Sequence, residues 1–198
     1  MRKTLLVGSG NKKKADELDT LLEGLPWTVQ SLDGFPAVPE PEEDGDTFTA
    51  NAVLKARYYG EANGVACLAD DSGLVVDALD GEPGIFSARY AGDKCDDAAN
   101  VAKLLNALAE TPWHERTARF VCCAAFFAPG AEPHVETGVV EGRIAIEAFG
   151  KNGFGYDPVF VPAGFDETFA EMDPQQKHLL SHRGRALEKI RAYLDSLS

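Results

Sequence analysis

Several segments of this sequence carry residue types that can do chemistry. In Gly8-Ser9-Gly10-Asn11-Lys12-Lys13-Lys14, glycines expose backbone N–H groups just ahead of a helical pattern. The positive end of a helix and three lysines at one point would welcome an anion. A solvated lysine face would have the same composition. The turn is no Walker loop, and Lys13 stands where the third glycine of G-x-G-x-x-G belongs. Asp33 nevertheless lies at a distance suited to a ribose ligand, which keeps a dehydrogenase reading open.

The acids Glu40, Glu42, Glu43, Asp44 and Asp46 read either as a solvated loop or as the source of a carboxylate for a hard divalent cation. Asp70 and Asp71 stand at the end of an apolar strand, ahead of Ser72-Gly73. Adjacent carboxylates in a low dielectric repel, unless a cation sits between them or one faces water. Ordinary turn chemistry would also explain them. Next to the anion-cradling turn, the metal reading is the better one.

In Phe154-Gly155-Tyr156-Asp157, two aromatics sit among glycines. Phe154 there is either a flat surface for a base or a hydrophobic plug. In Lys177-His178-Leu179-Leu180-Ser181-His182-Arg183, two potential cations follow a helix-capping serine. Cations in a first helical turn oppose the macrodipole, so His182 and Arg183 either aim donors at a ligand or are ordinary surface residues.

These side chains need elements to position them. Lys3 to Val7 reads as a strand, Lys12 to Leu22 as a helix and Trp27 to Leu32 as a second strand. Asp33 to Asp46 is a Pro-, Gly- and acid-rich loop. Thr47 caps a helix to about Ala62, with Asn51 and Lys55 one turn apart on one face. Val65 to Ala69 is a strand that runs into the aspartates, and Leu74 to Val76 resumes it. Asp96 caps a helix to about Ala109, and Thr117 to Phe127 and Val135 to Glu147 are long strands. The loop from Gly150 to Pro158 leads into a short strand, Val159 to Val161, and Ser181 caps a last helix, His182 to about Leu194. Early alternation of helices and strands followed by a hairpin-like block predicts a mixed α/β sheet. No linker separates independent parts, so 1–198 reads as a single domain, with two lobes around a cleft.

Composition narrows the partners. Against 32 Asp+Glu there are 19 Lys+Arg, a net charge of −13 in 198 residues. That balance argues against a nucleic acid polymer held by bulk charge. The longest apolar stretch, Phe120 to Ala128, is under half a membrane span, and the first apolar run is too short for a signal peptide. A soluble cytoplasmic protein is expected. Cys67, Cys95, Cys122 and Cys123 form no C-x-x-C pair and read as reduced, mostly buried thiols.

The segments gain weight together. Ser9-Gly10-Asn11-x-x-Lys14, Asn51-Ala52-x-x-Lys55-Ala56, Ala69-Asp70-Asp71-Ser72-Gly73-Leu74, Pro83-Gly84-Ile85-x-Ser87-Ala88-Arg89-Tyr90, Phe154-Gly155-Tyr156-Asp157-Pro158 and Ser181-His182-Arg183 jointly resemble the inosine triphosphate pyrophosphatase family. Its bacterial branch comprises the XTP/dITP diphosphatases. The likeness covers nearly the whole chain in motif order, and Ser9 stands where the family more often has Thr.

The resemblance implies a Mg²⁺-dependent enzyme that cleaves dITP, ITP or XTP to the monophosphate and pyrophosphate. It implies an elongated α/β domain with a long mixed sheet, two lobes with the active site between them, and a homodimer. By the same resemblance, Ser9, Gly10, Asn11, Lys12, Lys13 and Lys14 would hold the triphosphate, helped by Lys55 and Lys177. Asp71 would activate water, Ser72 would touch substrate, and Asp71 with Asp70 or Glu43 would hold Mg²⁺. Phe154, in the loop with Gly155 and Tyr156, would stack on the purine, while Asp157, His182 and Arg183 would read its edge. His178 is assigned to solvent.

Base choice then follows from donors and acceptors. A C6 keto oxygen accepts from His182 or Arg183, whereas the adenine amino group faces them donor to donor. An unpaired buried polar group costs about 1–3 kcal/mol. Rejection of guanine falls to its C2 amino group, with Asp157 or nearby backbone as discriminator. A Maf-like pyrophosphatase for pyrimidine or modified nucleotides and a non-catalytic nucleotide-binding module are the rival readings.

Overall fold

The computed structural model describes residues 2–197, without the side chains of Lys12 and Lys13. The expectation that those two side chains hold an anion therefore lies outside the described residues.

Among the described residues, five α-helices and six strands form the framework: β1 (Lys3–Val7), α1 (Lys12–Leu21), β2 (Trp27–Ser31), α2 (Phe48–Asn63), β3 (Ala66–Val76), α3 (Asp97–Ala107), β4 (Thr117–Phe127), β5 (His134–Ile144), β6 (Phe160–Pro162), α4 (Pro174–Leu180) and α5 (His182–Ser196). The strands form one sheet in the order β2-β1-β3-β4-β5-β6. β1 runs parallel to β2 and β3, while β5 and β6 are antiparallel. The sheet is mixed, as the alternation of elements predicts.

The chain divides into two compact units, one of Met1–Asp71, Cys122–Gly138 and Arg185–Ser198, the other of Ser72–Val121 and Val139–Gly184. In the first unit the period of two along a strand separates the two faces of the sheet. Leu5, Val7 and Leu68 pack in a core with Leu18 of α1 and Leu187 and Ile190 of α5. Leu6 and Cys67, on the other face, pack with Tyr59 of α2. The core of the second unit gathers Leu74, Leu104, Phe120, Ile144, Phe160 and Phe169.

Helix starts follow local chemistry. Thr47 Oγ1 accepts the Ala50 N–H at 3.1 Å and opens α2, and Asp96 Oδ1 accepts the Ala99 N–H at 3.0 Å and opens α3. Ser181 Oγ accepts the Gly184 N–H at 2.9 Å at the start of α5. The sequence reading missed α4. Its start signal is present, since Asp173 caps it and Pro174 fills the first helical position. It is short, however, and Leu179 is 79% exposed, so no apolar stripe announces it.

β3 departs from expectation. Ala66 to Val76 is one unbroken strand, so Asp70 and Asp71 lie within it, not at its end, and the turn reading of Asp70-Asp71-Ser72-Gly73 is overturned. The ladder between β1 and β4 overrides the local turn propensity of these residues. β5 stops at Ile144, short of the expected Glu147, and Ile146 beyond it is exposed.

Candidate active site

In the first unit, the turn after β1 is pinned by the Gly8 N–H, which donates to the Leu68 carbonyl at 2.8 Å. A Cβ at Gly8 would lie 3.0 Å from the Tyr59 ring and 3.1 Å from Cys67 Sγ, so the close seat of this turn requires glycine. Ser9 Oγ then accepts the Asn11 N–H at 3.2 Å, and α1 starts at the next residue.

α1 carries Lys14 to Asp70. Lys14 Nζ lies 2.7 Å from Asp70 Oδ2. Asp70 shares its strand face with Leu68, the face that α1 covers. Asp71 shares the opposite face with Cys67 and meets α2. Lys55 Nζ lies 3.3 Å from Asp71 Oδ1 and 3.0 Å from Glu43 Oε2. The side-chain amide of Asn51 donates to Asp71 Oδ2 at 3.2 Å. The repulsion expected between neighbouring aspartates is thus avoided by geometry, with opposite faces and a separate lysine for each.

Burial pushes the Asp71 carboxyl up, against the opposing pull of the Lys55 ammonium, and Glu43 adds to the rise. Burial alone would lower the pKa of Lys55, but Asp71 and then Glu43 outweigh it and raise it. Glu43 and Asp71 offer hard oxygen donors around one cation. Among the described residues no three His, Cys, Asp or Glu side chains group to hold an ion. A small divalent cation that binds through two carboxylates and completes its shell with water or phosphate oxygens fits this pair. Burial pushes the thiol of Cys67 up to about 12 and that of Cys122 well above its ordinary value.

In the second unit, the loop before β6 is fixed by two carboxylates. Asp157 Oδ2 accepts the Phe154 N–H at 2.7 Å and an N–H of Lys177 Nζ at 2.5 Å. Asp97, in the first turn of α3, accepts the Gly155 N–H at 2.7 Å. Gly153 has φ +81° and no room for a Cβ, which would fall 2.0 Å from Asp157 Oδ2. The result is Phe154 held out from the surface, 76% exposed, with Lys177 Nζ 4.7 Å from its ring centroid. Such a contact is a cation–π pair. Burial raises the Asp157 carboxyl, and Lys177 and the Phe154 N–H oppose that rise.

His182 stacks on Phe120 with ring centroids 4.8 Å apart. Burial lowers Arg183 to about 10. Tyr156 differs from Phe154 in the same motif. It is buried in the core, and its hydroxyl donates to the Ser87 carbonyl at 2.8 Å. Ser72 and His178 are exposed.

The structure therefore brings Glu43, Lys55 and Asp71 together, Lys14 with Asp70, and Phe154, Asp157 and Lys177 together. Sequence reasoning did not find Asp97, or the part played by Asn51. Asn51 stands one turn from Lys55, a visible signal, but its contacts come from a distant strand and loop. Lys177 entered through resemblance alone, since nothing local marks α4 as facing this loop.

The fold and these clusters define a class, that of mixed α/β proteins setting carboxylates and lysines beside a strand-turn-helix unit. The chain belongs to the Ham1 family, whose model matches residues 5–193. It is 47% identical over 190 residues to a protein of Geobacter sulfurreducens named dITP/XTP pyrophosphatase, covering 96% of each chain. The Ham1 protein of Staphylococcus aureus superposes with a TM-score of 0.93 at 39% identity, over 99% of this chain and 100% of that one. A structure from Mycobacterium abscessus described as nucleoside-triphosphatase / dITP/XTP pyrophosphatase matches with a TM-score of 0.84 at 46% identity, over 94% and 98% of the two chains.

Proposed function

We infer that this chain is a nucleoside triphosphate pyrophosphatase that hydrolyses deaminated purine nucleotides (dITP, ITP and XTP) to the monophosphate and pyrophosphate. The relatives' names supply the substrate class. The observation that carries the chemistry is the half-buried Asp71, held between the Asn51 amide and the Lys55 ammonium that it shares with Glu43.

In this reading the backbone and side chains of Ser9, Gly10 and Asn11, with Lys14, hold the triphosphate. Glu43 and Asp71 would hold Mg²⁺, with Asp70 supporting the cluster from the opposite strand face. When bound, the ion neutralises phosphate charge against water attack. Asp71 accepts the proton of the attacking water. Lys55 keeps the two carboxylates together before substrate arrives. Ser72 touches substrate beside Asp71.

Phe154 gives the purine a stacking face, and Lys177 adds positive charge beside it. Arg183 and His182 donate to the C6 keto oxygen. Asp157 and Gly155 shape the loop, and Tyr156 anchors it in the core. The reading takes 1–198 as a single nucleoside triphosphate pyrophosphatase domain, working as a homodimer on free nucleotides in the cytoplasm. No helix among the described residues is long and apolar enough to cross a membrane.

The test of the central residue is Asp71→Asn. The substitution keeps shape and removes the base, so hydrolysis of dITP falls by roughly 10²–10⁴-fold while dITP still binds. Turnover equal to that of an active parent chain would overturn the assignment of Asp71, and dITP binding without hydrolysis in either chain would favour a binding module.

A further inference from the structure

Asn51 is 1% exposed, and both ends of its carboxamide are engaged. Its Nδ2 donates to Asp71 Oδ2 at 3.2 Å, and its Oδ1 accepts the Gly45 N–H at 2.8 Å. The partners fix the orientation of the amide. Flipped, it would set NH₂ against an N–H and oxygen against a carboxylate. We propose that Asn51 is a positioning residue that clamps the acidic loop to Asp71, so that Glu43 and Asp71 meet the same lysine. The proposal rests on the reading of Asp71 and Glu43 given above.

Gly45 makes the clamp tight. A Cβ there would lie 2.6 Å from Asn51 Oδ1 and 2.8 Å from the Ala50 Cβ, so the loop backbone lies directly on the first turn of α2. Glu43 stands just before Gly45 in that loop and reaches Lys55, one turn beyond Asn51 on the same helix. One helix face therefore holds the loop at Asn51 and the loop's carboxylate at Lys55, with Asp71 touching both. A second buried amide provides the contrast. Asn100, also 1% exposed, spends both ends on backbone, the Ala91 N–H and the Ala88 carbonyl. It braces a chain segment, whereas Asn51 joins a loop to a carboxylate of the site.

The two ends can be separated. Asn51→Leu removes both hydrogen bonds. Asn51→Asp keeps an acceptor for the Gly45 N–H but turns a carboxylate toward Asp71. Gly45→Ala forces the loop off the helix and leaves the Asn51 amide free to reach Asp71. Asn63→Ala, which removes a bond from the same helix to the Tyr59 carbonyl, controls for helix stability alone. Steady-state kcat and KM for dITP are measured beside hydrogen exchange at the Gly45 amide.

The expected result is a fall in kcat of roughly 10–100-fold for all three site variants, with KM within about threefold, and little change for Asn63→Ala. Gly45 exchange should accelerate in Asn51→Leu and stay slow in Asn51→Asp. If Asn51→Leu does not fold, the other two variants carry the comparison. A kcat in Asn51→Asp and Gly45→Ala matching that of Asn63→Ala would overturn the proposal. Should the parent chain not hydrolyse dITP, the activity assignment falls by itself. The clamp is then judged by Gly45 exchange, and unchanged exchange in Asn51→Leu overturns it.

Discussion

Asp70 and Asp71 are bonded neighbours, yet one meets Lys14 of α1 and the other Lys55 of α2. A residue pair that reads in sequence as mutual repulsion is resolved by the period of a strand. The sequence named both aspartates and both lysines, but it could not assign partners, because that choice depends on which helix covers which face. Single-residue burial also has a consequence for alkaline stability. Burial holds the Cys67 thiol at about 12 against an ordinary 9.0 and lifts Cys122 as well. The folded protein keeps these protons where the unfolded chain releases them. Stability is therefore intact below a pH of about 9 and falls above it, by about 1.4 kcal/mol per pH unit for each thiol. Urea unfolding followed from about pH 8 to about pH 10.5 measures the slope, and Cys67→Ala with Cys122→Ala should flatten it. A slope unchanged by the double substitution would contradict this account.

Elements whose ends are written in capping chemistry were legible. Thr47, Asp96 and Ser181 each accept the backbone N–H of the residue three positions on, and the helices begin where those residues predict. Asp96→Ala should cost about 0.5–2 kcal/mol and lower the melting temperature by a few degrees without changing KM. Elements that depend on neighbours were not legible. β3 runs through Asp70-Asp71-Ser72-Gly73 because strands flank it on both sides, and α4 lacks the apolar stripe that would reveal so short a helix. The loop before β6 is intermediate. Its aromatics and glycines were visible, but not Asp97, which holds it from α3. Gly153→Ala, with a positive φ and an Asp157 oxygen in the path of the new methyl, should displace that loop. We expect KM for dITP to rise by roughly tenfold or more, toward the value for Phe154→Ala, since stacking on a base contributes about 1–3 kcal/mol. An unchanged KM in both variants would remove Phe154 from the base site.

At the scale of the molecule, a chain with a net charge of −13 is proposed to take a substrate of the same sign. The long-range field is unfavourable, so binding must come from lysines at short range, where local charge outweighs a distant screened field. Lys14, Lys55 and Lys177 each sit within 3.3 Å of a carboxylate. Before substrate arrives, their charge is balanced by Asp70, Asp71 with Glu43, and Asp157 respectively. Family membership was legible from motifs distributed along the chain, which the match over residues 5–193 bears out. Choice among bases is the property that distinguishes the proposed enzyme from a general nucleotide hydrolase. It is tested most directly by product-resolved hydrolysis of dITP, XTP, dATP and dGTP with Mg²⁺. The account predicts rapid release of pyrophosphate and monophosphate from dITP and XTP, slow turnover of dATP and dGTP, and loss of activity in Asp71→Asn. Equal turnover of all four, or release of single phosphates, would contradict it.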